Sequence, residues 1–371
     1  MSSRPRRIRS GRSTRRRTAR PVVAVTGAAS GIGLALARHL ARADAPGGAA
    51  ARVVAIDDRR GDVPAATWRI LDVSDPGLAD RLTDVDVVVH LAFDSRIEGD
   101  ARGRTARNLR GVQTVLTAAP AAGVRRVVLC TSAMVYGAFA DNPVPLDEDA
   151  PLRAVPESPT VGDLLEIESL AERAPRVHTG LEVSVVRPAM LVGPGVDSVL
   201  TRHFEAPRLL FIRDSRPHWQ FCHVDDLVSG LAYAALGEVA GSITVGCEGW
   251  LDQDDVEALS GMHRMELPTA LAFGVAGRLH RLGLTPAPAS DLQYIAHSWV
   301  VPSTKLRDAG WRPGYDNVEA LAVLLQEVEG RHAVVARRLG RKDATLGAAG
   351  ATAALVGTAA LVRRARRKRR S

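Results

Sequence analysis

Gly27, Ser30, Gly31, Ile32 and Gly33 form the most chemically specific group in the chain, because they fall between the apolar run Val22-Val-Ala-Val25 and the helical pattern that starts at Leu34. Glycines at such a strand-to-helix turn allow the tight bend, a close backbone approach to phosphate, and close packing of helix on strand. The helix start then presents free N–H groups and a positive dipole end to an anion. The pyrophosphate of a dinucleotide is the ligand this layout suits. Asp57 closes the next apolar run, Val53-Val-Ala-Ile56, 24 residues beyond Gly33 and near the spacing at which a carboxylate meets adenosine ribose hydroxyls. Its charge would repel a 2′-phosphate, which favours NAD. Arg59 and Arg60 follow at once and would attract that phosphate, so NADP stays open. For Asp58, Arg59 and Arg60 a solvated turn is an equal alternative.

The elements that must hold this turn are legible in the hydrophobic pattern. Strands are expected near 22–26, 52–57, 68–71, 86–90, 126–131 and 182–187, with helices near 31–43, 76–82, 104–122 and 161–174. Strands alternating with helices predict an α/β fold, a doubly wound parallel sheet with helices on both faces. The continuous run Val85-Asp-Val-Val-Val89 reads as a fully buried strand. Five prolines in 138–160 predict a loop there. Beyond residue 193 the rhythm loosens, as expected of a smaller C-terminal substrate lobe. We therefore expect a basic arm at 1–20, a dinucleotide-binding domain at 21–195, an integral substrate lobe at 196–335, and an Ala/Gly-rich tail at 336–371.

The net charge of +8 belongs to the termini. Residues 1–20 carry nine arginines and no acid, and residues 363–370 carry seven basic residues. With those set aside, the body holds 33 basic against 41 acidic residues, so the globular part is acidic. Arginine runs of this kind read as solvated arms that can hold nucleic acid or anionic lipid. Ala344 to Val362 is nineteen residues without a charge, long enough to span a hydrocarbon core but built mostly of Ala, Gly and Thr. A C-terminal membrane anchor and a loosely ordered tail are both readings of it. The apolar run from Val22 belongs to the glycine turn and not to a signal peptide. Cys130, Cys222 and Cys247, odd in number and in strand-like stretches, read as reduced core thiols of a cytoplasmic protein. The histidines are scattered, and no metal is expected.

Taken in order, the motifs resemble the extended short-chain dehydrogenase/reductase family, which holds the NAD-dependent nucleotide-sugar epimerases and dehydratases. The likeness covers roughly 21–335. Leu71-Asp72-Val73 resembles the acidic-apolar pair that contacts adenine, and His90-Leu91-Ala92 the segment along the cofactor. Asn108 stands where the family keeps a helix asparagine. Thr131-Ser132-Ala-Met-Val-Tyr-Gly137 is similar to the strand end carrying the catalytic serine, which Ser132 matches. Arg187-Pro188 resembles the segment beside the nicotinamide, Phe221-Cys-His223-Val-Asp225-Asp226 a segment of the substrate lobe, and Lys305 through Gly310-Trp311-Arg-Pro313 the late family signature. The resemblance implies a bound dinucleotide, a nucleotide sugar or similar alcohol as substrate, and a homodimer formed by the helices at 104–122 and 161–174.

Two departures stand out. The glycines follow Gly-x-x-x-Gly-x-Gly, the spacing of the single-domain branch, where the extended branch has Gly-x-x-Gly-x-x-Gly. More consequentially, family members transfer hydride with a tyrosine acid and a lysine one helical turn later. The matching positions here are Thr160 and Leu164, after Glu157-Ser158-Pro159. None of Tyr136, Tyr233, Tyr294 and Tyr315 has a lysine four residues on. Asp163, Glu166 and Glu168 are expected to form a solvated acidic helix face, and His223 with Asp225 and Asp226 a network anchoring the lobe. Two functions follow: an epimerase, dehydratase or reductase with an atypical acid, or a dinucleotide-binding scaffold or redox-responsive regulator without hydride chemistry.

Overall fold

The computed structural model describes residues 20–338, apart from 46, 238, 286, 332, 335 and 336. In chain order it has β1 (Val22–Thr26), α1 (Gly31–Leu40), β2 (Arg52–Asp57), β3 (Thr67–Ile70), α2 (Leu78–Arg81), β4 (Val87–His90), α3 (Ala101–Ala121), β5 (Arg126–Cys130), α4 (Pro159–Val177) and β6 (Glu182–Pro188). There follow β7 (Met190–Val192), β8 (Leu209–Ile212), β9 (His218–Trp219), β10 (Phe221–His223), α5 (Val224–Leu236) and β11 (Ser242–Val245). The remainder includes β12 (Leu251–Asp252), α6 (Gln253–Ser260), β13 (Arg264–Leu267), α7 (Thr269–Arg281), α8 (Gln293–Ala296), α9 (Thr304–Asp308) and α10 (Asn317–Val328).

Seven strands form one parallel sheet in the order β11-β6-β5-β4-β1-β2-β3. Strand order reverses between β1 and β4, and the crevice outside the carboxyl ends at such a point is where α/β sheets bind ligands. Side chains alternate across the sheet as a period of two requires. Val23, Val25, Ala55 and Val89 enter one core, shared with α1 and α5. Ala24, Val54, Ile56 and Val88 enter the other, beneath α2, α3 and α4. Both faces are covered, which explains why β4 reads as an unbroken apolar run instead of an alternating one.

The expected strands and helices all form, with ends shifted by a few residues. The proline-rich segment contains no regular element from Gly137 to Ser158 except a turn, and Pro159 opens α4 from the first helical position, where its missing N–H costs nothing. Elements after residue 195 do not stay apart from the sheet: β11 is its edge strand and α5 packs on α1. Short two-stranded pairs, β7 with β10, β8 with β13 and β9 with β12, build the remainder of the C-terminal half. Among the described residues no helix is long and apolar enough to cross a membrane. The basic arm through residue 19 and the uncharged stretch at 344–362 lie outside the described residues.

Candidate functional site

The β1–α1 turn is built as a cradle. Gly27 takes φ +70°, and a Cβ on it would meet the Leu91 carbonyl oxygen at 2.7 Å, so the turn lies directly against the end of β4. A Cβ on Gly33 would stand 2.1 Å from the Gly27 oxygen; only glycine lets α1 begin so close to β1. Gly31, at φ +54°, has nothing within 4 Å of the place a Cβ would take, so its surface is open. Ser30 caps α1 with extended backbone but no side-chain bond, and no acid lies in the first turn. The first-turn N–H groups are thus left for an anion.

Asp57 holds this cradle from β2. Its Oδ2 accepts the Ala29 N–H at 2.9 Å, fixing the turn. Its carboxyl also bonds with that of Asp58 and raises the pKa of that exposed neighbour. Asp72 accepts from the Ser74 N–H and hydroxyl at 2.8 and 2.6 Å, which lowers its pKa, and Val73 packs toward Gly111 of α3. At the end of β4, Thr26 Oγ1 accepts the Leu91 N–H at 3.1 Å and lies 2.8 Å from His90 Nδ1. Burial pushes His90 down to about 4, so the ring is neutral and its role is to set Leu91 and Ala92 against the cradle.

Asn108 is one step removed from open space. Its Oδ1 accepts the Asp94 N–H at 2.9 Å, and its Nδ2 donates to the Asp94 oxygen at 3.1 Å and to Asp163 Oδ2 at 3.3 Å. It shapes the loop that follows Ala92. Asp94 is itself held at about 2 by the Arg96 guanidinium. Pro188 closes β6 beside Val245 of β11.

The acidic face of α4 is not solvated, contrary to expectation. Only Glu166 is exposed. Asp163 is buried and takes the Thr105 hydroxyl at 2.6 Å as well as Asn108, joining α4 to α3. Glu168 is buried in a two-point pair with Arg187, at 2.9 and 2.7 Å, and accepts the Thr131 hydroxyl at 2.7 Å. Arg187 donates onward to the Tyr136 hydroxyl at 2.8 Å, which donates to the Glu148 carbonyl at 2.6 Å. The Glu148 carboxylate takes the Thr244 N–H and hydroxyl and the Lys305 N–H, at 2.8–3.1 Å. None of these partners is near in sequence, so a helical pattern alone reads such acids as solvent-facing.

Thr160, Leu164 and Glu168 share one face of α4 at intervals of four. Since Glu168 grips Thr131, that face looks at the strand end bearing Ser132. Ser132 Oγ accepts the Met134 N–H at 3.2 Å and caps a single 3-10 turn, Ala133–Tyr136; its own proton has no acceptor among the described residues. Leu164 is buried, an apolar side chain with no donor for a ribose. The Tyr294 hydroxyl donates to the Met134 oxygen at 2.8 Å, and burial pushes that phenol up well beyond its ordinary range, so it is no substitute acid.

The fold with this cradle has many known counterparts. The model of the NAD-dependent epimerase/dehydratase family matches residues 23–246, more than half the chain. The chain belongs to that family. An uncharacterised Mycobacterium tuberculosis protein is 29% identical over 316 residues, 81% of this chain and 82% of that protein. A dTDP-glucose 4,6-dehydratase of Streptomyces antibioticus is 30% identical over 226 residues, 56% of this chain and 66% of the enzyme. Among solved structures, the dTDP-glucose 4,6-dehydratase DesIV of Streptomyces venezuelae, with NAD and TYD bound, superposes with a TM-score of 0.61 at 23% identity, covering 82% of this chain and 96% of that one. The UDP-glucose 4-epimerase of Thermotoga maritima gives 0.59 at 18%, covering 82% and 98%. These likenesses show the fold, the α/β doubly wound sheet expected from the pattern.

Two further family segments anchor the C-terminal half. Asp226 accepts the N–H groups of Gly314 and Tyr315 at 2.6 and 3.2 Å, and His223 stacks on Tyr315 at 3.7 Å. No group of histidine, cysteine and acid with metal-binding geometry exists among the described residues. Cys222 and Cys247 are buried and free, as is the half-buried Cys130.

Where α4 begins, Asp291 gives a pH-dependent prediction. The Ser158 hydroxyl bonds one side of this buried carboxyl, Oδ1 has no partner, and burial raises its pKa to about 6. Above its unfolded value the native state holds a proton that the unfolded chain gives up. Stability from this group is therefore complete below about pH 4 and declines as pH rises toward 6. Asp291→Asn should leave stability nearly unchanged at pH 4 but raise it at pH 7.5 by up to about 3 kcal/mol. Urea unfolding at both pH values checks this, and an equal shift at each would refute it.

Proposed function

We propose that the protein binds NAD in preference to NADP in the β1–α1 cradle and does so without the family's proton-coupled hydride exchange. The observation carrying the reading is the Ala29 N–H bond to Asp57 Oδ2, which holds that carboxylate at the mouth of the cradle, where its charge would repel a 2′-phosphate. The open surface of Gly31 and the uncapped first turn of α1 fit the pyrophosphate. Ser30, Ile32 and Gly33 line that turn, Asp72 and Val73 lie on the adenine side, and Leu91 and Ala92 run toward the nicotinamide side with Pro188. When bound, the dinucleotide supplies a hydride acceptor. At that end Thr160 offers an alcohol, far less acidic than a phenol of pKa about 10, and Leu164 offers no charge. Asn108 positions the adjoining loop.

A second reading keeps the enzyme, acting on a nucleotide sugar or similar alcohol. Its support is Ser132, whose free hydroxyl proton is available to a ligand oxygen. The relatives named dTDP-glucose 4,6-dehydratase and UDP-glucose 4-epimerase support a nucleotide sugar as the substrate class. The face of α3 and α4 is proposed as a homodimer contact. The reduced thiols favour the cytoplasm, with membrane or anionic-surface contact through the tails.

Calorimetric titration of the full chain with NAD⁺, NADH, NADP⁺ and NADPH tests the proposal. Micromolar binding of NAD⁺ or NADH, tighter than the 2′-phosphorylated pair, is expected; no binding of any of the four would overturn it. The double change Thr160→Tyr with Leu164→Lys should add slow NADH formation with a nucleotide sugar if the second reading of the pocket is right. A wild type that already forms NADH would refute the first.

A further inference from the structure

Little of α7 is sunk into the body. Of its 13 residues only Ala272 and Ala276 are buried, and Ala272 joins a small core with Ile212 and Ala296. The end of the helix is nonetheless fixed. The Gly283 N–H donates to the His280 carbonyl and the Leu284 N–H to the Leu279 carbonyl, both at 2.9 Å, with Gly283 at φ +69°. This closing turn leaves Leu282 and Leu284 in solvent, 72% and 47% exposed. Single exposed apolar side chains are ordinary. Among the exposed large apolar residues described, only these two lie within a few positions of each other in sequence.

The charge around this turn runs against that of the body. The body holds more acid than base, yet Thr269 to Ser290 contains no Asp or Glu. Arg278 and Arg281 are exposed in the last turn of α7, and neither pairs with an acid among the described residues. Arg281 Nε donates to the Gly277 carbonyl of its own helix at 3.2 Å. The acids that flank the segment are taken out of play: Glu266 of β13 pairs with Arg213, and Asp291 is buried. An apolar tip with unpaired cations behind it is the chemistry of a surface that meets anionic lipid. Two leucines are too small a patch for a stable protein partner, which covers about 800 Å² on each side.

We propose that the Leu282–Leu284 turn is a contact with an anionic bilayer. The leucines enter the boundary between headgroups and acyl chains, and Arg278 and Arg281 meet lipid phosphates. The inference builds on the anionic-surface reading of the tails and gives the folded body a side that faces the lipid. That side is the one bearing the cleft. His280 neighbours Asp291, which bonds Ser158 at the head of α4, and Tyr294 of α8 reaches the Met134 oxygen in the turn that Ser132 caps.

The test uses the full chain with vesicles of phosphatidylcholine, alone or mixed with phosphatidylglycerol. A polarity-sensitive fluorophore is attached to Leu284→Cys in one protein and to Val177→Cys in another, and wild type treated alike gives the background from native thiols. Val177 is as exposed as Leu282 but ends α4, roughly 28 Å from Ser158. Mixed vesicles should shift the probe at 284 to the blue and leave the probe at 177 unchanged, and phosphatidylcholine alone should shift neither. Leu282→Ser with Leu284→Ser should bind mixed vesicles at least about tenfold more weakly by sedimentation, with an unchanged Tm because both side chains lie in solvent. Arg278→Gln with Arg281→Gln should lose about as much. Wild type that sediments with no blue shift at 284 would overturn the proposal and leave the tails as the contact. An equal shift at 177 would overturn it too, as would a shift without vesicles that grows with protein concentration, which would place a second copy on the turn. Complete loss of sedimentation in the serine variant would instead remove the reading of the tails and leave the turn. Failure of wild type to sediment with mixed vesicles would overturn both.

Discussion

Arg187→Met is expected to destabilise the protein by about 3–5 kcal/mol, because it strips the buried Glu168 carboxylate of its counter-charge and two hydrogen bonds. The loss spreads from there. Tyr136 loses a donor to its hydroxyl, and Thr131 is left as the remaining side-chain donor to Glu168. Adding Glu168→Leu to the first change should recover much of the loss, since two apolar side chains replace an ion pair whose desolvation was itself costly. Urea unfolding of wild type, both single variants and the double variant gives the coupling energy directly. Additive losses, or an Arg187→Met cost below about 1 kcal/mol, would show that the pair is not the joint between α4 and β6.

Gly33→Val should abolish dinucleotide binding, with affinity falling more than about a hundredfold. A Cβ at residue 33 would have to occupy the position 2.1 Å from a backbone oxygen, so α1 must move away from the cradle or the cradle must open. Overpacking of this kind costs about 1–3 kcal/mol of stability as well. Gly31→Ala provides the contrast. Its Cβ meets no protein atom, so the stability loss is limited to the backbone penalty at φ +54°, about 1–2 kcal/mol. Yet the added methyl projects into the space a phosphate would fill, and affinity should still drop. Calorimetry with NADH reads both. Unchanged affinity in Gly31→Ala would place the pyrophosphate elsewhere.

The sequence made the sheet legible because its signals are local. Val87, Val88 and Val89 announce a strand covered on both faces, and Gly27, Gly31 and Gly33 announce the turn that follows β1. Asp57 was readable from its distance to that turn, although its bond to Ala29 was not. The acids of α4 were misread for the opposite reason. Asp163 and Glu168 look like members of a solvated stripe until Thr105, Asn108, Thr131 and Arg187 are brought to them by the fold. The spacing of Thr160, Leu164 and Glu168 was a usable signal, since every fourth residue faces the same neighbour. Arg104, buried in α3, gave none: an arginine in Ala101-Arg-Gly-Arg-Thr-Ala-Arg107 is indistinguishable from its exposed companions.

The carboxylate of Glu148 has a consequence for how the chain is made. Its acceptor oxygens are completed by the backbone of Thr244, 96 residues later, and by that of Lys305, 157 residues later. A ribosome adding about 5–20 residues per second needs roughly 8–30 s to deliver Lys305 after Glu148 has left the exit tunnel. For that interval β5 and α4 are available, but the Glu148 carboxylate in the long segment between them lacks its full set of backbone donors, and for the first part of it β6 waits for β11. The nascent sheet therefore lacks its β11 edge until residue 245 has emerged, and the Glu148 carboxylate lacks its last backbone partner until Lys305 has.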